Sequence, residues 1–220
     1  MSSNKNIYYS IVVLLPIFFF SAINAQNNGS NWVLKSDKDG VKTYYKKKAG
    51  IYEAKFITSI ETSLTGFFKL MGDVKRYPAW GYKIKESRLL KKVSDTEMYY
   101  YTRIDFPWPL DDRDFVMHSK LTQDAITRRV ESNSVAVPDY IPSVEGVIRV
   151  RYTNSKWVMI PGPGGWVYTE YYIDSDPGGS LPDWVVNMGL EMGPREMFKS
   201  IRGLLKQSEY QNAKLAHIKD

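Results

Sequence analysis

The stretch FPWPLDDRDFV, Phe106–Val116, ends one strand and starts the next. Pro107 and Pro109 have no N–H for a sheet ladder, so pairing must stop there. Beyond them Phe115, Met117, Ser119 and Leu121 alternate with Asp114, His118 and Lys120, the period of a strand with one face turned to a core. Arg113, set among Asp111, Asp112 and Asp114, suits a bidentate ion pair that fixes the turn. Three aspartates so close in sequence point their side chains apart, with an arginine competing for them. No metal is expected there.

Working outward, the chain reads as strands almost throughout its middle. Upstream, Asp39-Gly40 marks a hairpin between two short strand-like runs. Tyr52, Ala54, Phe56, Thr58 and Ile60 then share one face of a strand. Thr62 or Ser63 is placed to cap a short helix whose apolar face is Leu64, Phe67, Phe68 and Met71, ending near Gly72 and Pro78. Strands are expected over Ile84–Lys92, Glu97–Phe106, Asp114–Thr122, Ile126–Ser134, Val147–Tyr152, Lys156–Ile160 and Val167–Asp174. After DPGGSLP a final helix starts, with Asp183 in its first turn and an apolar stripe of Leu181, Val185, Met188 and Met192 beside Trp184. Phe198, Ile201 and Leu205 form a second stripe, and Pro194 between them predicts a kink. About nine or ten strands followed by one long helix make an α+β fold: a curved antiparallel sheet whose open face the helix must cover.

The start of the chain is read separately. Lys5, the apolar run IVVLLPIFFF (Ile11–Phe20) and SAINA, ending at Ala25, form a secretory signal pattern, too short to span a bilayer stably. Cleavage near Ala25 would export the protein to the periplasm or beyond. Removing 25 residues from 220 leaves 195, one domain over residues 26–208 with a polar, frayed tail at 209–220. Lys5 leaves with the signal, taking the formal charge from +6 to +5. The absence of cysteine excludes disulfides, thiol nucleophiles and thiolate metal sites. The two histidines, His118 on an outward face and His217 in the tail, do not form a catalytic pair. No nucleophile elbow, phosphate loop or dinucleotide fingerprint is present, so neither catalysis nor a cofactor is expected. Positive charge is dispersed over Lys46–Lys48, Lys91-Lys92, Arg128-Arg129 and Lys199, Arg202 and Lys206. That suits transient contact with an anionic membrane surface, with Lys199 and Arg202 on the docking face, or plain solvation. It does not suit nucleic acid, and a monomer is expected. Arg149 and Arg151, on the face opposite Val150 and Tyr152, should be exposed or paired with carboxylates. The loop Val135–Val144, apolar for a loop, reads equally as a gate or as a strand edge held by Pro138 and Pro142.

Several segments in order, YPAW (77–80), PLDDRDFV (109–116), VIRVRY (147–152), WVMIPGPGG (157–165) and DPGG (176–179) with Pro182 before WVVN (184–187), carry a family resemblance. Over roughly Trp32 to Lys206 the chain resembles the START domain, the steroidogenic acute regulatory protein-related lipid-transfer family. The resemblance implies a helix-grip fold, in which the sheet wraps the C-terminal helix around a tunnel for a single lipid or sterol. Sterol-carrying members commonly place an acidic and a basic residue opposite each other in that tunnel. The aligned positions here are Tyr100 and Ser119, both uncharged, which departs from that pattern.

The residues give the tunnel candidates of its own. Phe56, Met98, Tyr100, Thr102 and Ile104 face inward by alternation, as do Met117, Ser119, Val150, Tyr152, Thr169 and Tyr171, with Trp184, Met188 and Met192 from the helix. Aromatics and methionines with scattered hydroxyls suit an apolar cavity with a few polar points. The same composition builds a solid core, which would make the protein a secreted interaction module. A third reading is a cyclase-like enzyme on the same fold using Tyr100, Tyr152 and Glu170 for proton transfer.

Overall fold

In a computed structural model, which describes residues 32–48 and 51–220, alternation and turn chemistry account for most of the architecture. The expected leader at residues 1–25 lies outside the described residues. Val33–Lys38 (β1) and Val41–Lys48 (β2) pair across Asp39 and Gly40, whose φ values of 54° and 70° are those of a tight hairpin turn. Ile51–Glu61 (β3) follows, with Ala54, Phe56, Thr58 and Ile60 buried. Leu64–Gly72 (α1) is capped by Ser63, whose hydroxyl accepts the Gly66 N–H at 3.0 Å. A 3-10 turn and Tyr77–Trp80 (α2) lead to Ile84–Lys92 (β4), Glu97–Ile104 (β5) and Asp112–Gln123 (β6).

Beyond β6, Val130–Ala136 (β7) begins four residues later than expected, because the Asp124 carboxylate accepts the N–H groups of Ile126 and Thr127 and holds a turn there. Val147–Arg149 (β8), Tyr152–Pro161 (β9) and Trp166–Asp176 (β10) complete one ten-stranded sheet of order β1-β2-β3-β10-β9-β7-β6-β5-β4. Its pairings are antiparallel except that of β8, which lies parallel to β6. The expected strand Val147–Tyr152 is therefore broken: β8 ends at Arg149 and β9 starts at Tyr152.

The final helix runs through Asp183–Asn187 (α3), a π turn at Met188–Met192 and Gly193–Leu205 (α4). In place of a simple kink at Pro194, the chain widens one turn earlier. The Gly193 N–H reaches the Met188 carbonyl five residues back, and Pro194 then opens a new α segment where it needs no donor. Phe198, Ile201 and Leu205 are fully buried against the sheet, each contributing ~1.5–3 kcal/mol. Arg202 is no free docking cation: it donates to the carbonyls of Asp39 and Gly40 and to the Thr58 hydroxyl, clamping the first hairpin to the helix.

The tail is not frayed. Ser208–Gln211 (α5) buries Tyr210, and Ile218 is buried farther on. Asp220 accepts the Thr65 N–H and hydroxyl at 2.9 and 2.7 Å, adding a second cap to α1. Tyr210, Leu215 and Ile218 stand five and three residues apart among mostly polar residues, a spacing that sets neither a helical nor a strand stripe and so gave no sign that the segment docks.

Candidate functional site

Between the inner face of the sheet and the helices lies a cavity of about 810 Å³. One wall is set by strand register. Met98 on β5 stands opposite Ser119 on β6, Ser119 opposite Ser134 on β7, Ser134 opposite Ser155 on β9, and Ser155 opposite Ile173 on β10. The adjacent row runs Leu121, Ser132, Trp157, Tyr171 and Phe56. Both rows line the cavity, as do Tyr100, Thr102, Met117, Thr153 and Ser175. The Trp157 and Tyr171 rings stack with centroids 4.2 Å apart, and Phe198 of α4 meets Trp157 edge-on at 5.9 Å, closing the floor.

The opposite wall is helical and apolar. Met71 of α1 and Trp80 of α2 contribute, and from the C-terminal helix Val185, Gly189, Leu190, Gly193 and Met197 face the space. An added Cβ at Gly189 would meet nothing within 4 Å, whereas at Gly193 it would approach the Tyr82 ring at 3.1 Å. These glycines let the helix form a wall without filling the hollow.

Eight of the expected site residues therefore come together here: Phe56, Met98, Tyr100, Thr102, Ile104, Met117, Ser119 and Tyr171. Six do not. Trp184 and Met192 are about half exposed and Met188 lies off the lining face, because the helix turns its glycine-bearing stripe inward. A hydrophobicity pattern favours Met and Trp over Gly, so it selected the wrong face. Tyr152 points outward, its hydroxyl donating to Asp174 at 2.7 Å, since the break between β8 and β9 reverses the alternation and brings Thr153 inward. Val150 is buried at that break, its N–H bonded to the Asp114 carbonyl. Thr169 is on the inner face but beyond the cavity, where side chains fill the core, and it bonds the Val167 carbonyl. Missed from the sequence were the hydroxyls of Ser132, Ser134, Thr153, Ser155 and Ser175.

The charged turn resolves differently from the expected Arg113 pair. Arg113 donates to the carbonyls of Asp111, Pro177 and Gly178, and lies over the Phe106 ring at 4.4 Å. It thereby ties the β5–β6 turn to the DPGG turn. The buried bidentate pair is instead Asp114 with Arg149, at 2.7 and 3.0 Å. Arg149 also binds the carbonyls of Pro138, Ile141 and Pro142, which holds the loop after β7 in place. Arg151 pairs with Asp139. Asp112 is claimed by Arg103, Lys85 and the Phe106 N–H. Burial alone would raise its carboxyl, but these donors together hold it below the usual range.

Of the three residues considered for proton transfer, only Tyr100 faces the cavity. Glu170 accepts from Tyr168 and Tyr172 on the outer face. Burial pushes the Tyr77, Tyr100 and Tyr171 phenols up, making them weaker acids that stay un-ionised, as neutral donors, at ordinary pH.

A profile of the START domain matches residues 21–214. An uncharacterized protein of Pseudomonas aeruginosa is 32% identical over 197 residues, covering 87% of this chain and 94% of that protein. Mouse phosphatidylcholine transfer protein is 29% identical over 184 residues, covering 79% of this chain and 83% of its own. A solved fragment of a STAR-related lipid transfer protein from Xanthomonas axonopodis superposes with a TM-score of 0.73 at 28% identity, covering 81% of this chain and 100% of the fragment. Human STARD10 superposes at 0.69 with 20% identity, covering 82% of this chain and 76% of its own, a likeness of fold.

Proposed function

The chain belongs to the START-domain family, and from that premise we propose that it holds one lipid in the cavity between sheet and C-terminal helix and carries it between membranes. The observation that carries the reading is the cavity of about 810 Å³, apolar on its helical side and hollow where a purely structural core would be filled. The physics is sufficient without catalysis. A buried methylene is worth ~0.8 kcal/mol, so a 16-carbon chain gains on the order of 12 kcal/mol on leaving water. A bilayer offers the same gain, so exchange between the two is nearly balanced and a carrier can both load and unload.

Export is part of the proposal. Its support is the signal pattern of Lys5, Ile11–Phe20 and Ala25, and its test is the N-terminus of the protein recovered from its source, expected at Gln26. The positive charge of the chain suits a passing encounter with an anionic surface, and Lys199 is exposed on the outside of α4 to meet it. Transfer is tested with donor vesicles holding a self-quenched fluorescent lipid and unlabelled acceptors. Dequenching should rise with protein concentration; a rate equal to that without protein would refute carriage.

A further inference from the structure

Resting on the reading of this cavity as a lipid site, we infer that its ligand is a lipid without formal charge, bound with a hydroxyl or ester group against Ser119, Ser134 and Ser155. Charge in the lining is confined to one end. Lys69, Asp73, Lys92, Asp95 and Glu97 sit at the end of α1 and the β4–β5 hairpin, with His217 beside them. Several of these groups are already engaged: Lys92 with Asp95 at 2.6 Å, Glu97 with His118 at 2.7 Å, and Lys69 with the Glu209 carbonyl at 3.0 Å. The buried ions nearest the sheet wall, Arg149 and Asp114, neutralise one another and do not line the space. Away from that end the lining holds no charged side chain among the described residues, so a phosphate drawn in as far as the serine row would lose its hydration without finding a cation, a cost of several kcal/mol or more.

What the wall does offer is hydroxyls. Ser119, Ser134 and Ser155 are direct cross-strand neighbours, and Tyr100 and Tyr171 line the same space beside them. Each hydroxyl donates or accepts by rotation, so the row can satisfy an alcohol or a carbonyl equally and needs no counter-ion. Size agrees. If a methylene takes about the ~30 Å³ that a water occupies in the liquid, the cavity of about 810 Å³ holds roughly 27 non-hydrogen atoms. A monoacylglycerol or a fused-ring alcohol meets that bound; two 16-carbon chains with a phosphate head exceed it.

The test equilibrates the full chain with phosphatidylcholine vesicles carrying equal fractions of a monoacylglycerol, a sterol and phosphatidylglycerol, then identifies the protein-bound lipid by mass spectrometry. The inference predicts that one of the two uncharged lipids is enriched at least tenfold over either phospholipid. Phospholipid bound in proportion to its content would overturn the inference while leaving the lipid-carrier reading standing. Protein that emerges empty would overturn both. Ser134→Ala with Ser155→Ala should weaken retention of the preferred lipid roughly tenfold, yet leave uptake of a plain hydrocarbon of similar length unchanged. Equal loss for both, or for neither, would remove the hydroxyl row from the account. An unchanged unfolding midpoint confirms that the variant is folded.

Discussion

Asp114→Asn tests the buried ion pair that frames the cavity's sheet wall. The Asp114 and Arg149 side chains are 0% and 5% exposed, and their two hydrogen bonds are 2.7 and 3.0 Å. The substitution keeps shape and one acceptor but removes the charge. Arg149 cannot shed its proton, so a cation stays in the interior with only an amide oxygen and the carbonyls of Pro138, Ile141 and Pro142 around it. Breaking a buried pair by removing one partner costs ~3–5 kcal/mol, against a total stability of ~5–15 kcal/mol. With a urea dependence of ~2 kcal/mol per molar, the unfolding midpoint should fall by about 1.5–2.5 M. The Tyr101 phenol, pushed up to about 12 first by burial and then by the Asp114 charge, should titrate at lower pH in the variant. Combining Asp114→Asn with Arg149→Met removes the stranded cation and should recover part of the loss. A single variant less than ~1 kcal/mol below the parent, or a double variant worse than the two singles added, would refute the reasoning.

Truncation after Gln207 removes buried Tyr210 and Ile218 and the Asp220 cap, and should cost about 4–7 kcal/mol in urea unfolding; a loss below ~1 kcal/mol would return the tail to a dispensable role. Gly189→Leu should fold normally but fill about 120 Å³ at ~30 Å³ per carbon, displacing some four methylenes of ligand and weakening lipid uptake roughly two-hundredfold. Undiminished uptake would mean that this helix face does not meet the ligand. Tyr77, Tyr100 and Tyr171 carry phenols whose folded pKa is raised by burial. Their contribution is complete below the unfolded value of ~10 and is lost as pH climbs through the folded values, at ~1.4 kcal/mol per pH unit per phenol. Urea midpoints at pH 8 and pH 11 measure it, and equal midpoints would contradict it.

The sheet was legible because alternation reports it directly. β4 has the expected bounds, and the inward residues of β5 and β6 are those that period two selects. What escaped were features that periodicity does not encode. A two-residue break at Val150 and Arg151 reverses the phase of β9, so Tyr152 points out and Thr153 in. A glycine facing a void looks like a weak helix position, so the Gly189 and Gly193 stripe lost to Met188 and Met192. Arg113 sits among aspartates in sequence, yet two of its three carbonyl partners lie 64 and 65 residues away, where only the fold brings them near. The serine row was invisible for a related reason: each serine is unremarkable within its own strand and becomes a feature only when register aligns three strands.

Native mass spectrometry of the protein purified from its own source puts the hollow to the most direct test. The account predicts a single mass addition, at one lipid per chain, that survives gentle activation and is lost from Gly189→Leu. Bare protein in repeated preparations that also takes up nothing from vesicles, or a ladder of several weakly held additions unchanged by that substitution, would contradict it.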